Sequence, residues 1–143
     1  MHQPHPWREL RALTHVVVHF VELRPGLWGA TDGHERIWID HRLGQVERRC
    51  TLVHELEHLR RGHRSCQDEH TERAVRAAAA RRLLPDPRVI AEALVWARCD
   101  VEAAAEELWV TEDVLVHRLD RRHLHPLETA FIDARLTTFE AGA

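Results

Sequence analysis

The chain has 143 residues, enough for one domain with a real hydrophobic core. Hydrophobic residues make up 44% and charged residues 30%, a balance that excludes a disordered chain and fits a globular one. The net charge is -3 with histidine neutral, so no overall positive field calls for nucleic acid, although the 20 basic residues are all arginine.

The three cysteines, Cys50, Cys66 and Cys99, form no C-x-x-C pair. An odd, scattered set argues for a reducing cytosol and against a disulfide framework or a cysteine zinc knuckle. The start, "MHQPHPWREL", has no apolar signal core, and no apolar run nears the roughly 18 residues of a membrane span. A cytoplasmic protein without a membrane partner is expected.

The first third alternates extended segments with turns. "LTHVVVHFVEL" (13–23) is rich in β-branched residues and stops at "RPG", which predicts a strand. "GLWGATDG" leads into "HERIWIDHRL" (34–43), where Ile37 and Ile39 alternate with Trp38 and Asp40 as in a half-buried strand. The pair Asp32-Gly33 between these runs is a hairpin signal. Two or three strands in a small antiparallel sheet are predicted.

From Gln45 onward the pattern is helical. "QVERRCTLVHELEHLRRG" sets Val46, Leu52, Leu56 and Leu59 along one side and stops at Gly62. "DEHTERAVRAAAARRLL" is an Ala/Arg-rich helix closed by "PDP" at 85–87. Three shorter helices follow in "PRVIAEALVWARC", "DVEAAAEELWV" and "TEDVLVHRLDRRHL", with Asp100 and Thr111 as N-caps of the second and third. "PLETAFIDARLTTFEAGA" adds a further turn or two before the chain frays.

His54, Glu55 and His58 form an H-E-x-x-H sequence in the first of these helices. At about 100° and 1.5 Å per residue, positions i and i+4 lie one turn apart on one face. Two imidazoles so placed can bind one Zn²⁺, and Glu55 beside them is placed to take a proton from a water the ion activates. The competing reading is a chance cluster on a charged surface helix, since the chain holds 13 histidines.

A third ligand decides between the two, because catalytic zinc usually has three protein ligands and an open position. The H-E-x-x-H-x-x-G-x-x-H pattern needs glycine at 61 and histidine at 64, where this chain has Arg61 and Arg64, so that pattern fails. His63 is then read as a helix C-terminal residue whose charge suits the dipole. In the next helix Glu72 shares a face with Val75, Ala79 and Leu83 and is the favoured third ligand. Glu69 and His70 stay open as alternatives, and Cys50, one turn before His54, could also reach an ion.

"TLVHELEHLRRGH" followed by "ERAVRAAAARRLLP" resembles the ImmA/IrrE family of metallopeptidases. The likeness rests on Thr51, Leu52, His54, Glu55, His58, Glu72, Val75, the run Ala80–Leu84 and Pro85, and extends over roughly residues 45–122. It implies a zincin-like core, which with the strands read above gives an α+β fold: a small N-terminal antiparallel sheet on a mainly α-helical body. Together with the length and the order of elements, this predicts a single zincin-like peptidase domain over 1–143, with a sheet region at 1–44, metal-binding helices at 45–85 and a C-terminal helical region at 86–143 that is helix-turn-helix-like at 100–122. It also implies Zn²⁺ held by His54, His58 and Glu72, with Glu55 as the general base. Members act on helix-turn-helix repressors of phages and mobile elements, so a repressor is the implied protein substrate. Glu57 departs from the family pattern, which has a small or apolar residue there. No residue stands out as an oxyanion stabiliser, with His34, His41, His117 and His123 all open.

A regulator that binds DNA or protein through a degenerate or structural metal site is the alternative. Residues 100–122 read as a helix-turn-helix, with Ala104, Leu108 and Val110 packing against Val114, Leu115 and Leu119. Its second helix opens with Glu112 and Asp113, the wrong charge for duplex DNA, so direct DNA binding is not expected.

Overall fold

A computed structural model describes residues 5–142 of the chain. The elements run α1 (Pro6–Ala12), β1 (Val17–Val21), β2 (Gly29–Thr31), β3 (Arg36–Asp40), α2 (Gln45–Arg61), α3 (Glu69–Leu83), α4 (Pro87–Trp96), α5 (Val101–Leu108), α6 (Glu112–Arg118) and α7 (Pro126–Gly142). The class is α+β, as the sequence led us to expect. The chain divides into two compact units, one up to Ala79 and the other from Ala80 on.

In the first unit the three strands pair in the order β1-β3-β2. β3 runs antiparallel to β2, with Thr31 opposite Ile37, but parallel to β1, with Val18 opposite Ile37. The sheet is therefore mixed, which corrects the expectation of an antiparallel one. The hairpin signal itself holds. Asp32 accepts the backbone N–H groups of His34, Glu35 and Arg36 at 2.9, 3.0 and 3.0 Å, closing the β2–β3 turn. β1 does not pair with β2, its neighbour in sequence. Residues 22–28 turn at Gly26 (φ 84°) and carry the chain to the far edge, so that β3 returns between the two. Asp40 anchors this crossing, because its carboxylate accepts the Leu23 N–H at 3.1 Å while its own N–H donates to the Trp28 carbonyl at 2.9 Å.

The alternation read in β3 decides which face is dry. Ile37 and Ile39 are fully buried and cluster with Val16 and with Leu52 and Leu56 of α2. Trp7 and Leu10 of α1 close the edge of that cluster, an element the sequence patterns did not single out. On the opposite face of the sheet, the cross-strand pair His19 and Trp38 stacks with ring centroids 6.0 Å apart.

In the second unit Ile90, Leu94, Ala104, Leu108, Leu115 and Ile132 are buried. The expected caps are present: Asp100 accepts the Ala103 N–H at 2.9 Å and Thr111 the Val114 N–H at 3.4 Å. Glu112 and Asp113 stand exposed in the first turn of α6. The last helix, α7, runs for 17 residues, well beyond the turn or two expected. Only Ile132 of it is buried while Leu127 and Phe131 are exposed, so it lacks the apolar stripe that betrays a helix in sequence. Among the described residues no helix is long and apolar enough to cross a membrane.

Candidate active site

α2 is buried for most of its length, from Arg49 through His58 apart from a partly exposed His54. Its N-terminus starts at Gly44, whose N–H donates to Glu47 Oε1 at 2.9 Å. Its C-terminus ends at Gly62, in the left-handed region with φ 71°. α3 begins beside it, with Asp68 accepting the Thr71 N–H at 2.7 Å as an N-cap. One turn into α3 stands Glu72, and Val75, Ala79 and Leu83 behind it on that face are all buried.

The three favoured residues meet. His54 Nε2 and His58 Nε2 are 3.1 Å apart, Glu72 Oε2 is 3.5 Å from the first and Glu72 Oε1 is 3.3 Å from the second. Three ligand atoms, one from each residue, lie within 4.8 Å of one another. A tetrahedral ion with bonds of about 2.0–2.1 Å needs donors about 3.3–3.4 Å apart, so this triangle fits such an ion. The arrangement also needs a cation or a proton at its centre, since lone pairs of two imidazoles and a carboxylate otherwise face one another. A set of two nitrogens and one oxygen suits a borderline-soft ion such as Zn²⁺.

The other candidates lie outside the triangle. Glu69 is exposed and paired with Arg76 at 2.9 Å, His70 is exposed, and Cys50 is buried outside the triangle. His34 and His41 are exposed residues on either side of β3, and neither stands out as an oxyanion donor.

Glu55 is only 5% exposed and stands next to the cluster. Its carboxyl is pushed up to about 8, by burial first and by the nearby Glu72 charge second. Gly29 of β2 covers it: a Cβ there would come within 2.9 Å of Glu55 Oε1 and 2.6 Å of Thr51 Cγ2. The short strand β2 thus approaches the motif helix because its first residue has no side chain. Burial holds the His58 imidazole below its ordinary value, against the pull of the Glu72 carboxylate. That favours the neutral ring, the form able to ligate a metal.

Two residues take places that the sequence reading did not give them. Glu57 is buried and pairs with Arg61 Nε at 3.1 Å, one turn along the helix. His63, assigned above only to the helix dipole, has its Nδ1 2.9 Å from Nδ1 of His58. The signal that could have placed it was Gly62, because a left-handed residue at that point turns the following side chain back over the helix.

A family model described as the IrrE N-terminal-like domain, of the M78 peptidases, matches residues 13–120, well over half of the chain. No curated protein and no solved structure matches it. The match takes in every residue of the triangle together with Glu55, and the chain belongs to the IrrE N-terminal-like family, which makes it a metallopeptidase of the ImmA/IrrE kind.

Proposed function

We propose that this protein is a zinc-dependent endopeptidase with Glu55 as general base, and that its substrate is a helix-turn-helix repressor. The observation that carries the reading is the convergence of His54, His58 and Glu72 from two consecutive helices, with a buried carboxylate at Glu55 beside them. When bound, the ion supplies Lewis acidity, which acidifies water and polarises the scissile carbonyl. Glu55 takes one proton from the attacking water as its oxygen bonds to the carbonyl carbon, and passes it to the amide nitrogen as the C–N bond breaks. Burial suits this exchange, because a carboxylate stripped of water gains by holding a proton in transit. His54, His58 and Glu72 would hold the ion with three protein donors, the number typical of a catalytic zinc site, where a closed structural site takes four. The peptidase domain on this reading takes in both compact units, in keeping with a family match that runs through Ala79 and Ala80. The repressor substrate is supported by the resemblance of residues 45–122 to proteins that act on such repressors.

The test uses the purified chain, Zn²⁺ and a repressor encoded in the neighbouring reading frame. Glu55→Gln should keep the metal and leave the repressor intact, while the unchanged chain cuts it. His54→Ala or Glu72→Ala should lose the metal itself. Cleavage that persists in Glu55→Gln would overturn the role of that residue, and a repressor left whole by the unchanged, metal-loaded chain would overturn the substrate.

A further inference from the structure

We propose that His63 is a positioning residue for the metal centre: its Nδ1 accepts the Nδ1–H of His58 and so fixes the tautomer in which His58 offers a bare Nε2 to the ion. The inference rests on the metal-centre reading above. The two Nδ1 atoms are 2.9 Å apart and the rings are tilted by 60°. A hydrogen bond of that length needs one proton between the two nitrogens, since two lone pairs would repel. If His58 carries it, the lone pair of His58 is on Nε2, the atom that faces His54 and Glu72. If His63 carries it, a neutral His58 is protonated on Nε2 and cannot ligate.

The placement of His63 is built by the backbone. Gly62 N–H donates to the Leu59 carbonyl at 3.0 Å, and His63 N–H donates to the His58 carbonyl at 3.0 Å. These are the two bonds of a Schellman closure, with Gly62 in the left-handed position. The second of them joins the same two residues whose rings meet. From the other side the β2–β3 turn comes up against it: a Cβ on Gly33 (φ 72°) would lie on the His63 carbonyl and 3.0 Å from Arg64 N. His63 is therefore held between the end of α2 and the sheet, with its ring against a ligand. A histidine serving only the helix dipole needs its charge near the last carbonyls and no such contact.

Binding of Co²⁺ followed by its visible absorption, with chelator competition, reads metal affinity without reference to peptide cleavage. His63→Leu keeps the bulk and removes the acceptor, and is expected to weaken Co²⁺ by about 10–100-fold, the usual cost of losing an outer-shell partner. His63→Gln, whose amide oxygen can accept the same N–H, should recover most of the loss. A ring-nitrogen NMR spectrum of the unchanged Zn²⁺ form needs no variant and should find Nδ1 protonated on His58 and bare on His63. An affinity for His63→Leu within about twofold of the unchanged chain, equal losses in both variants, or a proton on Nδ1 of His63 would each overturn the proposal. If the unchanged chain and His54→Ala bind Co²⁺ equally poorly, the metal centre fails and the proposal fails with it. If His54→Ala alone loses the metal, only the role of His63 is refuted.

Discussion

Gly29 leaves little room around the buried Glu55. Its missing side chain is filled by Thr51 and by the Glu55 carboxylate, so Gly29→Ala must displace one of them or move β2 away. Overpacking of this kind costs about 1–3 kcal/mol. We expect Gly29→Ala to lower the melting temperature and to reduce peptidase turnover, with metal content unchanged. Chemical denaturation and metal analysis on the same sample check both halves, and an unaltered stability would mean that the close approach is absent in solution. Glu57 illustrates a different lesson about single residues. Its pairing with Arg61 follows from i,i+4 helical spacing, but nothing local says that it is buried.

At the scale of elements, the site depends on how two helices end and begin. Gly62 has open space where a Cβ would stand, so Gly62→Ala tests only its left-handed backbone. The expected cost is about 1 kcal/mol, and Gly62→Asn should cost less because asparagine tolerates that conformation. Metal affinity should fall in parallel in Gly62→Ala, since His63 follows directly. Asp68 caps the helix that carries Glu72, and Asp68→Ala should destabilise by about 1 kcal/mol. Urea denaturation of the two variants, with and without Zn²⁺, separates loss of helix stability from loss of the metal's contribution.

At the scale of the whole molecule, pH is the accessible variable. Glu128, at the start of α7, accepts from Arg81, from Arg118 and from the His125 N–H. These partners, Arg81 foremost, hold its carboxyl down at about 2, below its ordinary 4.5. A depressed folded value means that the stabilisation is complete above about 4.5 and is lost as pH falls towards about 2. Solvent access to Arg81 screens part of it, so we expect on the order of 1–2 kcal/mol at neutral pH. The Arg118 side chain is only 2% exposed, and Glu128→Gln removes its counter-charge. That variant should melt lower at pH 7 and show a flatter loss of stability between pH 5 and 2 than the unchanged chain, as followed by circular dichroism. Equal slopes would remove Glu128 as the acid-labile group.

The sequence by itself determined the parts that are local. Helical spacing places His54 and His58 on one face, Asp32-Gly33 closes a hairpin, and Asp100 and Thr111 cap the helices they precede, because each depends on residues within one turn. It also singled out Glu72, since the small and apolar residues behind it at helical spacing had to face something packed. Tertiary structure decided the rest. Only long-range pairing makes β3 central and the sheet mixed, and β2 sits over Glu55 because a glycine lets two backbones approach. The 17 residues of α7 carry no apolar stripe that could announce them. His63 turns back onto His58, five residues upstream, through the left-handed Gly62; the glycine is visible in the sequence, but only the folded helix end shows which ring it brings His63 against.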